Sequence, residues 1–178
     1  MSTSDRPYHH GDLRAALLDA GDTLLDEGGN GGFALREAAR RAGVTAAAAY
    51  RHFPDKDALL LALAARGYAA FGRTMGEAAA AIPTDALNAM GEAYVRFALD
   101  RPARFRLMFG PLVAASRGRN AALDAARDAT FRALQDAAGD RPRALRAWGL
   151  VHGLAMLLID GALPADEPAA LIRELLQA

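Results

Sequence analysis

Six side chains able to donate hydrogen bonds gather in one stretch of the chain: Thr45, Tyr50, Arg51, His52 and Lys56, with Arg36 shortly before them. Hydroxyl, phenol, guanidinium, imidazolium and ammonium groups share one natural target, the oxygen of a phosphate. Other chemistry finds little to work with. Cysteine is absent, which removes disulfides, thiolate metal sites and thiol nucleophiles. Serine stands only at positions 2, 4 and 116, with no Gly-x-Ser-x-Gly, no His-Glu-x-x-His and no glycine loop leading into Lys-Ser or Lys-Thr. His9 and His10 are adjacent, so their rings diverge, and they are expected to sit in a solvated tail or contacting arm rather than to form a metal pair. Asp166 and Glu167 fall in an expected exposed turn. The chain is therefore not expected to be an enzyme, and neither a metal nor a cofactor is expected.

The elements that must hold the donors are helices. Among 178 residues there are 44 Ala and 25 Leu against 13 Val, Ile and Thr together, a balance that favours helix over strand, so the expected class is all-α. Leu13, Ala16, Leu17, Ala20 and Leu24 have amphipathic helical spacing, and the glycine-rich run 28–32 ends that helix. A second helix over 35–42 buries Leu35, Ala38, Ala39 and Ala42. Gly43 permits a turn with positive φ, and Thr45 caps a third helix reaching Phe53. Pro54 ends it, and Asp55 caps a long fourth helix that Pro83 stops. Further helices are expected over 85–99, 101–115, 120–138, 142–160 and 168–177. The longest apolar run, 147–159, is 13 residues and contains His152, short of the roughly 20 that a membrane span needs. The N-terminus lacks the apolar core of a signal peptide, so a soluble, cytoplasmic protein with no membrane partner is expected.

Residues 35–53 thus read as a helix-turn-helix: Ala39 allows close crossing, Gly43 the turn, and Val44 plugs the junction. In such a pair the second helix enters the major groove of a duplex, and the donors at its ends can clamp phosphates. An alanine-rich helix-glycine-helix piece could also be simple packing, and Tyr50 alone could be a core residue.

The stretch 10–61, above all Gly43-Val44-Thr45 followed by Tyr50-Arg51-His52-Phe53-Pro54-Asp55-Lys56-Asp57-Ala58-Leu59-Leu60, resembles the N-terminal domain of TetR-type transcriptional regulators. Ala147-Trp148-Gly149-Leu150-Val151-His152-Gly153 resembles the subgroup whose ligand domain is marked by Trp, His and Gly, and Tyr8-His9-His10-Gly11-Asp12-Leu13-Arg14 its opening. The resemblance implies a helix-turn-helix DNA-binding domain over about 1–70, with the motif near 33–53, and a helical ligand-binding and dimerisation domain over 71–178. It implies a repressor that binds a palindromic operator in double-stranded DNA as a homodimer, releasing or gaining DNA when a small effector binds. Thr45, Tyr50, His52 and Lys56 would meet phosphates and residues 46–49 would face bases. Ala46, Ala47 and Ala49 offer no side-chain hydrogen bond there, only methyl contact with thymine, so base reading would lean on Arg36, Arg51 or DNA shape. Ala34 also stands where a Ser or Thr would cap the second helix.

Helix 142–160 is apolar around nearly its whole girth and must be covered on several sides. Leu150, Leu154, Leu157 and Leu158, with Leu171 and Leu175 of the last helix, are the expected homodimer interface, and Gly149 and Gly153 permit close helix approach. Met90, Tyr94, Phe97, Phe105 and Met108 could converge with Phe109, Trp148, His152 and Met156 on a cavity for an apolar or aromatic effector, or could simply be core. Arg96, Arg101, Arg104 and Arg106 hint at an anionic ligand or make a solvated face. A rival reading is a helical interaction protein whose helix-turn-helix no longer reads DNA.

Net charge is zero, with 21 basic and 21 acidic residues, which gives no general affinity for nucleic acid. Charge is nonetheless segregated. Residues 36–56 hold five basic side chains against Glu37 and Asp55, while Asp12, Asp19, Asp22, Asp26 and Glu27 lie on the first helix and its end. Any duplex contact is thereby confined to one short face.

Overall fold

A computed structural model describes residues 10–29, 31–163 and Glu174, and among these every regular element is helical. Packing divides the chain into two units, between Leu63 and Ala64. The first holds α1 (His10–Gly28), α2 (Leu35–Arg41), α3 (Ala46–His52) and the opening turns of α4 (Lys56–Ala81). The second holds the rest of α4, a 3-10 turn (Pro83–Asp85), α5 (Ala86–Asp100), α6 (Pro102–Met108), α7 (Pro111–Ala115), α8 (Ala121–Ala138) and α9 (Arg141–Ile159).

In the first unit the 3-4 spacing on α1 places Leu13, Leu17, Leu24 and Leu25 against Phe33, Leu35, Phe53, Leu59 and Leu63, all of them buried. Each leucine removed from water in this way contributes about 1.5–3 kcal/mol. In the second unit α9 packs on α5 and α8. Its buried face is Ala144, Val151, Leu154, Ala155 and Leu158, at helical spacing. Gly67 on α4 is a close-approach position: a Cβ there would lie 2.7 Å from the Met108 sulfur.

The single helix expected over 101–115 is two helices. Pro111 cannot donate to the carbonyl one turn back and drives Gly110 into extended backbone (φ −82°, ψ 172°), which ends α6 and starts α7 afresh. The helix expected over 168–177, with Leu171 and Leu175 of the expected interface, lies outside the described residues except for Glu174, as does His9.

Candidate functional site

The joint between α2 and α3 is built by backbone hydrogen bonding. Val44 N–H donates to Ala39 O at 3.0 Å and Gly43 N–H to Arg40 O at 3.2 Å, the paired bonds of a glycine-terminated helix end, with Gly43 at φ 71°. Thr45 then starts α3: its hydroxyl accepts from Ala48 N–H at 3.2 Å. Three residues beyond α3's end, Asp55 caps α4 by accepting from Ala58 N–H at 2.7 Å. Ala34 caps nothing with its side chain, as its type dictates.

This framework leaves Thr45, Ala47, Tyr50, Arg51 and Arg36 exposed, with Ala46, His52 and Lys56 half-buried. Tyr50 is one of the few large hydrophobic side chains in solvent, 44% exposed, so it is not a core tyrosine. Ala49 corrects the expectation for 46–49. It is fully buried, because α3 needs one face for the α1–α2 core and Ala49 lies on it, so it cannot meet a base.

The basic stretch is also less uniform than its composition. Glu37 bonds both Arg40, at 2.6 Å, and Arg41, at 3.0 Å, while Arg41 reaches Glu27 at 2.7 Å. Those two guanidiniums hold the Glu37 carboxyl down at about 2. Arg41 thus ties α2 to the acidic end of α1 and Arg40 is held within α2, whereas Arg36 and Arg51 make no ion pair among the described residues. Arg14 lies over the Phe53 ring at 5.1 Å.

A cavity of about 960 Å³ opens in the second unit. Of the nine residues expected to line it, Met90, Tyr94, Met108, Phe109 and Trp148 do so. Phe97, Phe105, His152 and Met156 do not. Phe105 is fully buried behind the wall, and Phe97 packs edge-on against Phe71, ring centres 5.0 Å apart. The remaining wall comes from residues that sequence reasoning passed over: Tyr68, Phe71 and Met75 on α4, and Arg127, Phe131 and Leu134 on α8. Their 3-4 spacing was the available signal.

The arginines expected as an anion cluster are not at the cavity. Arg106 pairs with Asp160, Arg96 lies 4.0 Å from Glu92, and neither Arg101 nor Arg104 lines the wall. Arg117, Arg127, Arg141, Arg143 and Arg146 line it instead, beside one carboxylate, Asp128.

Tyr94, Trp148 and His152 form a hydrogen-bonded chain. The indole N–H of Trp148 donates to the Tyr94 hydroxyl at 3.2 Å, and that hydroxyl lies 2.8 Å from His152 Nδ1. An indole only donates, so the Tyr94 hydroxyl accepts from Trp148 and, with the His152 proton on Nε2, can donate its own proton to Nδ1. Burial pushes the Tyr94 phenol well above its ordinary value and the His152 imidazole below its own, so both are neutral near pH 7. His152 is thereby a support beneath the wall.

On α9, Leu150 and Leu157 are 42% and 47% exposed, while Leu154 and Leu158 are only 5% exposed. The latter two face their own core and cannot meet a partner, a correction that follows from the 100° turn per residue. Leu145, Leu150 and Leu157 are exposed along α9 near Gly149 and Gly153, at which an added Cβ would meet nothing within 4 Å, and Leu145 and Leu150 also border the cavity. Among the described residues no helix is long and apolar enough to cross a membrane, and no group of side chains could hold a metal ion.

Two family models match the chain. The one for bacterial regulatory proteins of the tetR family covers residues 17–63, and the one for the tetracyclin repressor-like C-terminal domain covers 87–178, more than half the chain. No curated protein matches the sequence significantly. Among solved structures, a protein of unknown function from Rhodococcus sp. RHA1 is 30% identical, with 96% of this chain and 95% of that one covered and a TM-score of 0.78. A TetR transcriptional regulator from the same organism is 24% identical over 93% and 94%, TM-score 0.61. RolR, solved with the ligand resorcinol, is 19% identical over 91% and 84%, TM-score 0.61.

Proposed function

Because this chain belongs to the TetR family of transcription regulators, we propose that it is a ligand-responsive repressor that binds a palindromic operator as a homodimer. The observation that carries the reading is the exposed set Thr45, Tyr50 and Arg51 around an α3 whose other face, at Ala49, is sealed into the core. A helix fixed on one side and bordered by donors at both ends suits a major groove, with the donors on flanking phosphates. Ala46 and Ala47 would supply methyl contact to thymine, Arg36 and Arg51 would supply charge, and DNA shape the rest.

Dimerisation is supported by the outer stripe of α9, where exposed leucines alternate with glycines open to close approach. Two copies would set their α3 helices about 34–36 Å apart, one duplex turn. The cavity would hold the effector, in keeping with an apolar, aromatic wall; RolR, of similar fold, was solved with an aromatic ligand. An effector changes operator affinity only through its differential affinity for two spacings, and α4, which runs from one unit into the other, is the candidate coupling element. Acting on DNA, the protein would work in the cytoplasm.

Selection of bound sequences from random DNA, followed by mobility shifts over a range of salt, tests the reading. A recovered palindrome and a steep salt dependence are expected, with Tyr50→Ala and Lys56→Ala weakening all sequences alike. Salt-dependent binding without any preferred sequence would instead favour a helical interaction protein with a degenerate motif, an outcome that the all-alanine centre of α3 keeps specific.

A further inference from the structure

The cavity wall has two chemical characters. Aromatic rings come from Tyr68, Phe71, Phe109, Phe131 and Trp148. Charge comes from five arginines against Asp128. Four of those arginines are exposed at the rim, but Arg127 is not: only 14% of its side chain reaches solvent. Its Nη2 donates to Asp124, while its Nε is buried and meets no acceptor. A buried charged donor left unfilled is costly and is ordinarily matched by a partner. Asp124 is itself occupied further, accepting from Gly118 N–H at 2.8 Å. Arg117, the residue before Gly118, makes no ion pair among the described residues. Both guanidiniums pull down the Tyr68 phenol, which burial has pushed up to about 12, so both act on the space around that hydroxyl.

We propose that the cavity receives an amphipathic anion, a multi-ring aromatic body bearing a single carboxylate, with the rings against Phe109, Phe131 and Trp148 and the carboxylate on Arg127 and Arg117. This deepens the effector assignment above and rests on it for the regulatory meaning, although the binding claim concerns the second unit alone. A neutral aromatic of the same shape would fill the same wall but leave the excess of arginine charge around the cavity without a counter-charge. Discrimination therefore lies in charge, since the aromatic wall accepts both bodies equally.

Trp148 is the only tryptophan of the chain and lines the cavity, so its fluorescence reports occupancy directly. The test titrates the full-length protein with pyrenebutyrate and with pyrenebutanol, which share a ring body and differ in the carboxylate. The carboxylate is expected to bind about tenfold more tightly or better, with the preference shrinking as salt rises. Arg127→Met is expected to cut the preference for the carboxylate severalfold, chiefly by weakening pyrenebutyrate. Should that variant fail to fold, Arg117→Gln, at an exposed position, is expected to reduce the preference by severalfold. Equal affinities in the unsubstituted protein, no binding of either probe, or a preference undiminished in both variants would overturn the proposal. The titration contains no DNA, so its failure leaves the operator reading standing, and a failed mobility shift leaves the anion assignment standing.

Discussion

Replacing Tyr94 by Phe isolates the hydroxyl that joins Trp148 to His152. The ring stays, and with it the edge-on contacts to Phe71 and Phe105, ring centres 5.1 and 5.6 Å away, so no cavity is created and packing is unchanged. Two hydrogen bonds disappear, leaving the indole N–H and Nδ1 without their partner. Each such loss costs about 1 kcal/mol net, toward the lower end where water can reach the orphaned group, for a total of about 2 kcal/mol. In a chain of this length that corresponds to a fall in melting temperature of about 4–8 °C. Urea unfolding followed by Trp148 fluorescence measures the loss in the unit where it arises. Tyr68→Phe is the matched control: it removes one bond, to the Met108 carbonyl at 3.0 Å, and is expected to cost about half as much. A Tyr94→Phe protein within about 0.5 kcal/mol of the original, or more stable than it, would refute the reasoning, because the hydroxyl would then contribute no more than its own desolvation costs.

Further outcomes follow from the same geometry. Gly67→Ala is expected to destabilise by about 1–3 kcal/mol in urea unfolding, since the new methyl meets a fully buried Met108 side chain. Thr45→Ala removes the α3 cap and is expected to cost about 1 kcal/mol, seen as faster amide exchange across α3. His152 has a lowered folded pKa, so the unfolded chain binds more protons below about 6.5, the ordinary imidazole value; stability is expected to fall as pH drops below that value, and His152→Asn is expected to flatten the slope. Leu157→Glu, on the outer stripe of α9, is expected to shift sedimentation toward the monomer, whereas Leu158→Ala, at a buried position, is expected to lower stability without that shift.

Much of the first unit was legible in the residue order because its determinants are local. Gly43 for positive φ, Thr45 and Asp55 as caps, and Pro54 as a stop all act within four residues of themselves, and each does so where the spacing placed it. Pro111 was just as local a signal, and the break before α7 follows from it. The aromatic clustering of α5, α6 and α9 was legible as a tendency, since their apolar residues recur at helical spacing.

What residue order could not supply was the partner of each face. Ala49 and Ala47 are chemically identical and two positions apart, so only the packing of α3 against α1 and α2 buries one and exposes the other. Leu154 and Leu157 differ in the same way on a helix apolar all round. The five arginines around the cavity come from the stretch after α7, from α8 and from the start of α9, and only the fold sets Arg117 and Arg127 around the same cavity as Arg141, Arg143 and Arg146. Charge acts through space over several ångströms, and a linear reading that looked for clustered arginines found Arg96 to Arg106, none of which lines the cavity. Composition and spacing settled helix, turn and cap, which are short-range balances of backbone geometry and hydrogen bonding. Which methyl faces outward, which arginine is sealed against an aromatic wall and which histidine becomes a support are long-range outcomes of how the helices pack.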